Sequence, residues 1–112
     1  MKEIRRELHK MDGFEFECFS TDAVHLNILE AAAGAGEDPE NNDKWACKTY
    51  LRLKDQGGTN MQVNLLKDGL GRVDGIELEL RGYAELETMI ESLEFMKQAL
   101  IDAREEMRNG TN

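Results

Sequence analysis

The chain has one proline, two cysteines, two histidines and one tryptophan in 112 residues, and no apolar run approaches the length of a membrane span. Each shortage removes a class of protein. Cys18 and Cys47 show no C-x-x-C spacing, and His9 and His25 add no H-x-x-x-H pair, so zinc has no ligand set. The cysteines are expected to be small buried hydrophobes in a reducing compartment. The opening MKEIRRELHK mixes acids with bases and leads into no apolar h-region, which points away from a signal peptide and towards the cytoplasm. Bases are scarce as well: 23 acids against 14 leave a net charge of −9. That balance disfavours direct contact with a phosphate backbone and suits a basic protein partner, or plain solubility.

With 40% hydrophobic residues the chain should fold, as a single domain over 1–112. Ile4, Leu8 and Met11 fall at i, i+4 and i+7, predicting a short N-terminal helix that Asp12-Gly13 ends. FEFECF alternates, Ser20-Thr21-Asp22 reads as a turn, and VHLNIL resumes the alternation. Ala31–Asp43, AAAGAGEDPENND, has no usable period and reads as a mobile acidic loop reaching to about residue 44. WACKTYLRL and MQVNLL follow as strands joined by a hairpin at Asp55–Asn60, and a glycine-rich turn leads to IELEL. From Leu86 the spacing changes: Met89, Ile90, Leu93, Met96, Leu100, Ala103 and Met107 trace one face of a long helix. Gly82 is placed as its N-cap, with Glu85 three residues on. The expected fold is α+β in two layers: a meander-like antiparallel sheet of about five strands, covered on one face by the C-terminal helix. That helix is expected to lie over Ile76, Leu78 and Leu80.

No catalytic constellation emerges. Gly69, Gly71 and Gly75 sit between two strands, not between the strand and helix a dinucleotide loop requires. The loop acids Glu37, Asp38, Glu40 and Asp43 lack the glycine and closing glutamate of an EF-hand, so no metal or other cofactor is assigned. Ser20 with His25 has no nucleophile elbow around it, and Glu15, Glu17, Glu77 and Glu79 read as the wet side of a sheet.

What remains is surface for recognition. The wet sheet face is expected to show Phe19, Leu29, Tyr50 and Leu66 among Lys48, Arg52 and Arg81, with Tyr50 beside Arg52 as a binding pair. The helix exterior carries Glu87, Glu91, Glu94, Asp102 and Glu105, which together with the acidic loop could stand where a nucleic-acid enzyme expects phosphates. Phe95 and Ala99, at i and i+4, form either a homodimer seam or a widening of the buried helix face. In size, acidity and sheet-plus-helix plan the chain resembles the small inhibitors encoded by phages and mobile elements, such as the anti-CRISPR proteins. The resemblance rests on that plan and on no motif, and assigns no residue a role. It implies a non-catalytic module that blocks a host nucleic-acid-handling complex by contact. The alternatives are a small-molecule-binding or enzymatic α+β domain and a structural or assembly protein.

Overall fold

The N-terminal segment, expected as a helix, is a strand. The computed structural model describes residues 3–37 and 47–110, and in it β1 (Arg5–Met11) pairs antiparallel with β2 (Phe14–Val24). Asp12 and Gly13 both take positive φ, 51° and 78°. They close a two-residue hairpin of the type that follows the natural twist of paired strands. The Asp-Gly read as a helix stop is therefore a strand-to-strand turn. The inward row of β1 is Arg5, Glu7 and His9, half-buried, while Leu8 is exposed. A strand whose inner residues are charged hides from any search for apolar period.

β2 also runs through the turn expected at Ser20–Asp22. Ser20 and Thr21 are fully buried and pair with Ala32 and Ala31 of β3 (Ile28–Glu37). The chain reverses later, at His25–Asn27, where the His25 amide donates to the Asn27 carbonyl at 2.9 Å. Most of the first half of the predicted acidic loop is thus the central strand of the sheet. Ala31, Ala32 and Ala33 have no exposed surface: β2 and β4 (Cys47–Gly57) cover the edges of β3, the C-terminal helix covers Ala31 and Ala33 on one face, and Phe16, Cys18 and Tyr50 pack around Ala32 on the other. A strand buried on both faces need not alternate, and small residues gave it no hydrophobic signature. Gly34 is required there: a Cβ would lie 2.5 Å from the Glu17 carbonyl oxygen and 2.9 Å from Cys18 Sγ.

The four strands form a meander, β1-β2-β3-β4. The expected β4–β5 hairpin does not form. Instead β5 (Met61–Lys67) pairs only with β6 (Val73–Leu80), giving a separate two-stranded ribbon. The described residues therefore hold six strands in two antiparallel sheets, where one sheet of about five had been expected, and one helix, α1 (Tyr83–Gly110).

α1 matches its expected span, and Gly82, at φ 118°, supplies a backbone turn that a side chain would block against the Glu85 carboxylate. Glu85 does not cap its own helix; its Oε2 accepts from the Asn60 amide at 3.0 Å. The helix lies over β3 and, less extensively, β2, not over the ribbon. Its buried face is Ala84, Thr88, Ser92, Phe95, Met96, Ala99 and Ala103, while Leu86, Ile90 and Leu93 stay exposed. The alanines of β3 explain the choice: a floor of small side chains lets small helix residues approach closely, and Phe95 and Met96 fill the space left. The molecule is flat, 45 × 42 × 19 Å, with a radius of gyration of 15.7 Å. A packed domain of ~100 residues has about 13 Å.

Both cysteines are free; Cys18 is buried and Cys47 exposed. Burial raises the Cys18 thiol to about 11, with the Glu7 charge adding to the shift and Arg52 opposing it. The folded protein should release one equivalent of chromophore rapidly from a disulfide reagent at mildly alkaline pH, from Cys47, and a second only after denaturant is added. Two fast equivalents would contradict the placement of Cys18.

Candidate protein-binding surfaces

On the sheet face opposite α1, alternation brings His9, Phe14, Phe16 and Tyr50 together. Phe14 meets Phe16 edge-on at 4.7 Å between centroids, Phe16 stacks on Tyr50 at 5.1 Å, and Tyr50 on His9 at 5.5 Å. Beyond this cluster lies an ion-pair network drawn from all four strands. Arg52 Nε donates to Glu30 Oε1 at 2.9 Å, Gln56 Nε2 donates to Glu30 Oε2 at 3.2 Å, and Arg5 reaches the same oxygen at 3.5 Å. Arg5 also bonds Asp22 at 3.3 Å and Glu7 at 3.1 Å, and the Ser20 hydroxyl donates to Glu7. That hydroxyl, helped by Arg5 and opposed by burial, holds the Glu7 carboxyl below its ordinary range. Bonds to Glu30 and Tyr50 raise Arg52 further. The carboxylates of the network are tied to strand-crossing partners, an arrangement that clamps strands rather than moves protons.

Tyr50 and Arg52 share this face, as expected, but as half-buried members of the stack and the network. Phe19 and Leu29 do not join them. Phe19 packs under α1 and Leu29 is fully buried, because the face of β2 that the helix covers is the one opposite Phe14, Phe16 and Cys18. Phe95 and Ala99, at 7% and 3% exposure, belong to the core with Ala31 and Ala33; of their two expected roles, the widened buried face is the one the fold adopts, and they offer no seam.

The acids of α1 gather on its outer side. Glu87, Glu91 and Glu94 border a shallow hollow with Val24 and His25 of the β2–β3 turn. Asp102 and Glu105 line a second hollow with Glu106 around the edge of Phe19. Arg104 and Arg108 approach Glu105 at 3.5 and 3.3 Å, and Gln98 donates to Asp102 at 2.9 Å. Glu37 ends β3, exposed; Asp38, Glu40 and Asp43 lie outside the described residues. Among the described residues no group of three or more histidine, cysteine or acidic side chains is placed to hold a metal ion. Among the described residues no helix is long and apolar enough to cross a membrane.

The third surface was legible only in part. Register pairs Met61 with Leu80, Val63 with Leu78 and Leu65 with Ile76, so one face of the ribbon is wholly apolar. The other pairs Gln62 with Glu79 and Asn64 with Glu77. The apolar face is uncovered by any described element: Val63, Leu65 and Ile76 are more than half exposed and Leu78 is 41% exposed. Alternation in MQVNLL and IELEL marks these residues for burial, and nothing in the sequence says against what. Comparison with known proteins finds no matching family model, no similar curated protein and no similar solved structure.

Proposed function

We propose that the chain is a non-catalytic protein-binding module that inhibits a host nucleic-acid-handling complex, in the manner of the anti-CRISPR proteins its plan resembles. The observation that supports this reading is the acidic outer side of α1. From Glu87 to Glu105 the carboxylates are carried on one rigid helix over roughly 27 Å. A rigid row of carboxylates is a fit for lysines and arginines that otherwise hold phosphates, and the helix pre-organises it without cost at the moment of docking. Such a contact is steered by charge and weakened by salt, since fields at a wet surface fade over ~8 Å at physiological ionic strength. The chain itself, with its −9 charge, would be repelled by nucleic acid.

Reversing Glu87, Glu91 and Glu94 to lysine should weaken capture of the basic complex at low salt by about tenfold or more, with helix content unchanged by circular dichroism. Added DNA should displace the captured complex from the wild type. Capture indifferent to both the reversal and the competing DNA would overturn the reading.

A further inference from the structure

We propose that a second copy of this chain completes the fold: the ribbon of each protomer lies along the free edge of the other's β4, β6 beside β4, with its apolar face on the partner's α1. An isolated two-stranded ribbon is marginal in water, and this one leaves Val63, Leu65, Ile76 and Leu78 bare. A surface that matches it exists on the same chain. Leu86 and Leu93, both exposed, fall at seven-residue spacing on the flank of α1 that Leu100 and Met107 continue beside Cys47 and Thr49, whereas Ile90 lies towards the acidic hollow with Val24 and His25. Below that flank the helix side of β4 presents Leu51, 58% exposed, at an edge with no neighbouring strand among the described residues. β4 therefore offers unpaired backbone groups and an apolar shelf together, which is what an added strand needs.

Charge agrees with this orientation. With its apolar face towards α1, the ribbon turns Glu77 and Glu79 to the open side of the sheet. There β4 carries the exposed Lys48 and Lys54, so opposite charges meet across the new strand pair. The exposed leucines, isoleucine and valine of the ribbon, β4 and the α1 flank supply an apolar surface on the order of the 800 Å² per partner of a stable interface.

Side-chain hydrogen bonds fix the exit from β4, just before the ribbon begins. Asp55 Oδ1 accepts from the Gly57 and Thr59 amides at 2.8 and 3.0 Å, and the Thr59 hydroxyl donates to the Ile28 carbonyl at 3.1 Å. Buried Asn27 ties Thr59 to Thr88 of α1, at 2.9 and 3.0 Å.

The test is solution mass and its response to substitution. The wild type should sediment at twice the 12.7 kDa chain mass at micromolar concentration, and Leu78→Asp should sediment as a monomer with its α1 circular dichroism retained. Should Leu78→Asp fail to fold, Glu77→Lys with Glu79→Lys alters only exposed positions. That pair should raise the dimer Kd about tenfold or more at low salt, and mixing with a Lys48→Glu/Lys54→Glu chain should restore association. A monomeric wild type would overturn the proposal and leave the ribbon to a different protein. A dimer indifferent to Leu78→Asp but broken by Ile90→Asp would overturn it in favour of a helix-to-helix seam.

Discussion

Replacing Phe95 with alanine should destabilise the protein by about 3–5 kcal/mol, the cost of truncating a fully packed core aromatic. Phe95 is 7% exposed and packs with Met96 and Ala99 on Ala31 and Ala33. The alanine floor cannot refill the hole, but Met96, Phe19, Leu53 and Leu100 pack in the same cluster and can relax into part of it, which places the cost inside that range and not at its top. For a domain of this size the whole stability is about 5–15 kcal/mol, so the variant should sit near the edge of folding. Urea denaturation at a fixed protomer concentration measures it, because any association adds its own concentration-dependent term. A Phe95→Ala chain that keeps its urea midpoint but changes its oligomeric state would return Phe95 to an intermolecular role.

Glu30→Ala should be the most damaging change among the charged residues, at about 2–3 kcal/mol. The Glu30 side chain is 10% exposed and receives Arg52, Gln56 and Arg5, so its loss strips charged donors from strands on both sides of β3. Removing one partner of a fully buried pair costs about 3–5 kcal/mol. The two guanidiniums here are 34% and 31% exposed, so water recovers part of their solvation and the cost is smaller. Glu30→Gln keeps an acceptor in place and should lose about half as much. Equal urea midpoints for Glu30→Ala and wild type would show that the network holds nothing together.

The span of α1, the alternation of both ribbon strands and the acidic side of the helix could all be read from residue spacing, because each depends on local period alone. The central strand could not. AAAGAGE has weak intrinsic strand preference and becomes one only through β2, β4 and α1 packing around it. β1 escaped for a related reason, since its inward residues Arg5 and Glu7 are buried by partners on other strands and not by apolarity. The helix presented two candidate stripes, and the greasier one, with Leu86, Ile90 and Leu93, was expected to face the sheet. The alanine floor of β3 selects the smaller stripe instead. The grouping of the helix acids was legible. The Glu30 network was not, because its members come together only when four strands are in register.

The proposed interface joins the ribbon of one copy to the β4 edge and the Leu86 and Leu93 flank of another. Mixing isotope-labelled and unlabelled chains and recording filtered nuclear Overhauser spectra tests it most directly. Intermolecular contacts are expected from the Val63, Ile76 and Leu78 methyls to those of Leu51, Leu86 and Leu93. Contacts among these methyls confined to a single chain, or none at all, would contradict it.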